Sequence, residues 1–82
     1  MNNSARKIGV LEPAHSLIKR AGGEAEVAKA LGLSPITVYK WQYPKKDGGT
    51  GGLVPTTYHQ RILDWGNDQG IGLEHKDFFC AA

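Results

Sequence analysis

Cysteine is almost missing from this chain: Cys80 stands alone among 82 residues. One cysteine cannot form an internal disulfide, so a cross-linked secreted scaffold is excluded and a reducing, cytoplasmic setting is expected. Long apolar runs are missing too. No stretch approaches the roughly 18–20 apolar residues needed to cross a bilayer, so no membrane association is expected. Met1 to Ile8 holds no apolar segment that reads as a signal peptide. Close pairs of metal ligands are absent: His15, His59, His75 and Cys80 lie far apart. Zinc sites use tightly spaced pairs, so surface histidines and no metal are expected. Cys80 lies near the last position with no base in reach, which leaves nucleophilic catalysis without a constellation. Gly48-Gly-Thr-Gly-Gly52 lacks the Gly-Lys-Ser/Thr that completes a phosphate-binding loop. No enzyme and no cofactor are expected.

Charge of one sign is also in short supply. Ten Lys and Arg against eight Asp and Glu leave a formal +2. Distribution matters more than total for electrostatic binding. Lys40, Lys45 and Lys46 cluster mid-chain, with Asp47 beside them, while the other acids lie mostly elsewhere.

What the chain does have is helical periodicity cut by glycine and proline. Ala14, Leu17, Ile18 and Ala21 recur at i, i+3, i+4, i+7, with Pro13 suited to a first helical position and Gly22-Gly23 to a stop. Glu24 to Leu31 places Val27, Ala28 and Leu31 on one face, and Gly32 ends it. Ser34 offers an N-cap and Pro35 a pre-set first turn, so a third helix is expected over Pro35 to Gln42. Pro44 to Gly52, with four glycines in its last five positions, is expected to be a flexible loop. A fourth helix should begin near Pro55 or Thr56, with Tyr58, Ile62 and Trp65 on a core-facing side, and break at Gly66, Asn67 and Gly70. A last turn is expected around His75 to Phe79, with one of Phe78 and Phe79 closing the monomer and the other serving a dimer seam. The expected organisation is a loose arm over 1–11, one domain over 12–79 and a tail over 80–82. Its fold class is all-α: a compact bundle of four to five short helices. At this length only about 60% of the unfolded surface is buried, so a partner would add useful stability.

The informative stretch runs from Glu24 to Tyr43. Two helices that cross closely over a short turn need a small residue where they meet, and Ala28 supplies it. The turn needs a residue at ease with positive φ, and Gly32 supplies that. Val27, Leu31, Leu33 and Val38 can then interlock the pair with the first helix, and Trp41 is expected to pack. The reading from the residues is a helix-turn-helix.

In Ala28, Gly32 and Val38, and in the Lys40-Trp41 ending, the chain resembles the phage-repressor-like helix-turn-helix family, Cro and YdaS-like regulators included. Val54-Pro55-Thr56-Thr57-Tyr58 and Gly70-Ile71-Gly72-Leu73 are similar to elements that follow the motif in those regulators. The resemblance spans about Ala14 to Phe79. It implies a lambda-repressor-like DNA-binding domain acting as a homodimer on a pseudo-palindromic operator in double-stranded DNA. Pro35 to Gln42 would then be the recognition helix in the major groove. Ser34, Pro35, Ile36, Thr37, Tyr39, Lys40 and Tyr43 are the candidate groove-side residues. Ile36 and Thr37 suit a thymine methyl, and Lys40 suits a guanine edge or a phosphate. Before Gln42 this helix has no Arg, Gln or Asn, so the usual bidentate base-readers are scarce. Lys45, Lys46 and the amides of Gly48 to Gly52 form either a second, phosphate-facing contact or a solvated connector. Arg6 and Lys7 lie either in a minor groove or on a disordered terminus. The other class of function open to the same scaffold is protein interaction, as in an antitoxin or anti-repressor.

Overall fold

A computed structural model of the protein describes residues 11–80. Nearly all of the expected arm, Arg6 and Lys7 included, lies outside the described residues, as do residues 81–82 of the tail. The protein is an all-α bundle of α1 (Ala14–Arg20), α2 (Glu24–Leu31), α3 (Pro35–Lys40) and α4 (His59–Asp68). Single 3₁₀ turns occupy Lys45–Asp47, Thr56–Tyr58 and His75–Phe78, and no strand is found among the described residues.

The apolar spacing of α1 does what it predicts: Ala14, Leu17 and Ile18 are buried, and Ala21 follows at its C-cap. Pro13 is the N-cap rather than the first helical residue. The capping carboxylate comes from Glu12, which accepts from Ser16 N and Ser16 Oγ, both at 2.9 Å. The first turn of a helix leaves N–H groups without intrahelical partners, and Glu12 takes one of them. Gly22 and Gly23, at φ 103° and 108°, then reverse the chain into α2.

Val27, Ala28 and Leu31 form the buried face of α2, which packs most extensively against α3. Gly32 takes the left-handed conformation at φ 74°, and Leu33 N donates to Ala28 O at 2.9 Å. Arg61 reaches over from α4 to donate to Leu31 O at 3.1 Å, satisfying another carbonyl of that helix end. α3 stops at Lys40, two residues earlier than expected. Trp41, Gln42 and Tyr43 donate to carbonyls three residues back, tightening the chain into a 3₁₀-like exit.

Two expectations about α4 are corrected. It begins at His59, after the 3₁₀ turn, rather than at Pro55 or Thr56. It also runs through Gly66 and Asn67 to Asp68, so Gly66 is not a breaker. A Cβ at Gly66 would stand 3.0 Å from Leu73 Cδ1, so this glycine is there for close packing. Gly70, at φ 72°, marks the real reversal. Tyr58 and Trp65 pack at the edge of the core, and the buried face of the helix is His59, Ile62, Leu63 and Gly66.

The last turn is joined to the first helix. Asp77 accepts from Glu74 N at 2.8 Å and pairs with Arg20 at 3.0 Å. Phe78 is buried and Phe79 is 62% exposed, so the first of the two aromatics closes the monomer. His59 departs from the expected surface position. It is buried, stacks on Phe78 at 3.9 Å between centroids, and donates from Nε2 to Val54 O at 2.8 Å. Once its N–H is satisfied, an imidazole packs as a flat apolar ring.

Candidate nucleic-acid interface

α3 has one face buried and one face open. Val38 is fully buried and Trp41 nearly so, which turns the opposite side of the helix outward. Ile36, Tyr39 and Lys40 follow at i, i+3 and i+4, the spacing of one helical face, and Tyr43 comes three residues past the helix end. Ile36 is 60% exposed and Tyr39 is 40% exposed. Lys40 is exposed and Tyr43 half-buried, its ring 5.6 Å from that of Tyr39. Ser34, Pro35 and Thr37 are exposed at the leading end. Ser34 caps the helix: its Oγ lies 3.4 Å from Thr37 N and 3.1 Å from Thr37 Oγ1. The hydroxyls of Ser34 and Thr37 are therefore turned toward each other.

Gln42, two residues past the end of α3, faces the other way. It is fully buried, donates from Nε2 to Glu24 Oε2 at 2.8 Å and accepts from His15 Nδ1 at 2.8 Å. Its carbonyl accepts from Leu11 N at 3.1 Å. This amide ties α1, α2 and the exit of α3 together, which leaves it no part in an exposed face.

The glycine-rich segment is not the flexible loop expected from its composition. Thr50 N donates to Lys40 O at 3.2 Å, Gly51 N to Tyr43 O at 2.9 Å, and Gly49 N to Pro44 O at 3.0 Å. Thr50 Oγ1 donates to Trp41 O at 3.0 Å and lies against Leu53 O. The segment therefore folds back on the exit of α3 and adds donors to the carbonyls of Lys40, Trp41 and Tyr43. Glycine is required for this close approach. A Cβ at Gly49 would collide with Lys40 O and Tyr43 O, and one at Gly52 would collide with Glu12 O. Gly52 O in turn accepts from Ala14 N at 2.9 Å, so the segment bridges α3 to the start of α1.

Lys45 and Lys46 ride on this segment in the 3₁₀ turn, both exposed. Ion pairs among the described residues are limited to Arg20–Asp77 and Lys76–Glu74. None of Lys40, Lys45 and Lys46 is neutralised by a described carboxylate. The nine residues expected on the site thus comprise the outward side of α3, its leading end, Tyr43 in its exit and a docked basic turn. The amides of Gly48 to Gly51, expected to be open to phosphate, instead donate to Lys45 O, Pro44 O, Lys40 O and Tyr43 O; what sequence reasoning missed is that Gly49 and Thr50 hold that turn in place. Their signal was the threonine set among glycines, where a hydroxyl can bond a nearby carbonyl and its neighbours admit close backbone approach.

Compared with protein-family models, with curated proteins and with solved structures, the chain matches none.

Proposed function

We propose that this protein is a sequence-specific, double-stranded-DNA-binding transcriptional regulator of the Cro-like repressor kind. In this reading α3 enters the major groove and α2 lies across the backbone. One observation carries it. A short helix presents Ile36, Tyr39 and Lys40 outward, with Tyr43 packed beside Tyr39 in its exit, and a docked turn nearby carries two more cations with no described carboxylate partner. Base contacts specify and phosphate contacts position, and in this reading α3 would supply the first and the neighbouring turn the second. The helix supplies side chains of base-reading length. Lys45 and Lys46 supply phosphate contacts on a rigid mount.

A single helix of this size reaches few base pairs, so specificity calls for two half-sites and a homodimer on a pseudo-palindromic operator. Phe79, the most exposed large apolar side chain among the described residues, supports a seam near the last turn. The second reading, a protein-interaction module such as an antitoxin or anti-repressor, draws support from Ile36. Ile36, in the first turn of α3, is apolar and 60% exposed, and the net charge of +2 is modest.

Gel shifts against fragments of the source replicon, at low and moderate salt, separate the two. Retarded fragments that persist at moderate salt, with a footprint showing a two-fold repeat, are the expected result. Retardation only at low salt, with no fragment preferred, would overturn the regulator and favour the interaction module.

A further inference from the structure

We infer that the reading face of α3 recognises A·T pairs through the C5-methyl groups of thymine, with Ile36 as the principal specificity-determining residue. This rests on the DNA-binding reading above and names what that site selects.

The argument begins with the groups that are not offered. Guanine is read in the major groove by Arg or Lys on O6 and N7, and adenine by the amide of Asn or Gln on N6 and N7. The exposed positions of α3 hold no Arg, Asn, Gln, Asp or Glu. Gln42, the nearest amide, is buried between Glu24 and His15 with both ends of its side chain engaged. The hydroxyls of Ser34 and Thr37 face each other at 3.1 Å, and Ser34 Oγ also caps the helix. That engagement leaves the methyl of Thr37 as its free contact surface. Lys40 is the only formal charge on the helix, in its last turn and followed by the basic turn of Lys45 and Lys46, so we assign it to phosphate with them.

What remains on the open face is hydrocarbon and aromatic ring. Ile36 begins this face and is 60% exposed, a β-branched side chain that the bundle leaves largely in water. Among the major-groove edges of the four base pairs, the only group that an alkyl side chain contacts favourably is the thymine methyl. The flanking lysines, without described carboxylate partners, make a polyanionic duplex the complementary occupant of this apolar face. Tyr39 lies one turn on from Ile36, 40% exposed, with its ring 5.6 Å from that of Tyr43.

The test uses the full chain. A random-sequence duplex pool is selected with the wild-type protein, and affinity for the best site is measured by fluorescence anisotropy. The same duplex is then prepared with thymines replaced one at a time by deoxyuridine, which removes only the C5-methyl. Burying a methyl group contributes about 0.8 kcal/mol, so each contacted thymine should give about a threefold to fourfold loss on replacement. Ile36→Ala should bind thymine and deoxyuridine versions of the strongest position equally. Ile36 is exposed and alanine favours helix, so the thermal melt of this variant should match wild type. A selected site with G·C at the sensitive positions, or one indifferent to deoxyuridine, overturns thymine reading while leaving DNA recognition standing. A pool in which no sequence is enriched overturns both.

Discussion

Replacing Gly49 by alanine tests whether the glycine-rich segment is a built part of the site. The added methyl would fall on Lys40 O, Tyr43 O and the Cβ of Tyr43, two of them backbone atoms that cannot rotate aside. The segment must therefore lift from the exit of α3. Lifting breaks the hydrogen bonds from Thr50 N to Lys40 O, from Gly51 N to Tyr43 O and from Thr50 Oγ1 to Trp41 O. Each is worth about 0.5–1.5 kcal/mol net, and the freed carbonyls regain water in part, so a loss of about 2–3 kcal/mol is expected. Gly48→Ala is the control. Nothing lies within 4 Å of its added Cβ, so its cost is limited to placing alanine at φ 85°, about 1–2 kcal/mol. Urea denaturation followed by circular dichroism gives both values. DNA affinity, measured where each variant is fully folded, should fall further for Gly49→Ala because Lys45 and Lys46 lose their mount. Equal midpoints for Gly49→Ala and wild type would refute the docked segment and return it to a solvated connector.

Three other outcomes follow from the same geometry. Lys45→Ala with Lys46→Ala should reduce the slope of log K against log salt by about 0.9 for each phosphate left without its lysine; an unchanged slope would remove both lysines from the interface. Phe79→Ala should cost the monomer no more than about 1 kcal/mol, because the ring is 62% exposed and its contact is edge-on to His59. It should weaken self-association by about 2–3 kcal/mol for the two copies, and sedimentation that finds the wild type monomeric at all concentrations would refute the seam. Gln42→Leu keeps much of the volume but strands His15 Nδ1 and the Glu24 carboxylate. It should cost about 2–3 kcal/mol, or roughly 10–20 °C in Tm by differential scanning calorimetry, and a wild-type Tm would show that the amide is not a strut.

The helices were legible because their signals are local. Ser34-Pro35 starts α3 and Gly32 ends α2 whatever surrounds them, and the spacing of Ala14, Leu17 and Ile18 fixes a face without knowledge of the partner. What could not be read depends on who packs where. Gly66 has the same composition signal as Gly70, and only the approach of Leu73 makes the first a packing position and the second a turn. His59 carries no sequence mark of burial, since its place depends on Phe78 and on a carbonyl five residues before it. The run from Gly48 to Gly52 reads as flexible by composition, because glycine maximises backbone freedom in the unfolded chain. The same residue also permits the closest backbone approach, and Gly49 and Gly52 are used for that.

Gln42 shows how this bears on the site. By residue type it is the best adenine reader in or next to α3, and by position it falls just past the end of the helix. The 3₁₀-like exit after Lys40 carries its side chain under the bundle, where Glu24 and His15 take both ends of the amide. A buried amide with all its partners specifies geometry, because any shift of α1 against α2 would leave one end unpaired. The chain thus places its amide where it rigidifies the frame and leaves the open face of α3 to Ile36, Thr37 and Tyr39. Under the proposed function, an apolar reading face discriminates by contact distance, since a gap of about 0.5–1 Å forfeits roughly a quarter to a half of a dispersion contact. Such a face needs a stiff mount. The strut at Gln42 on one side and the docked segment at Gly49 and Thr50 on the other supply it, so loosening either should erase base preference before it erases affinity for the phosphates.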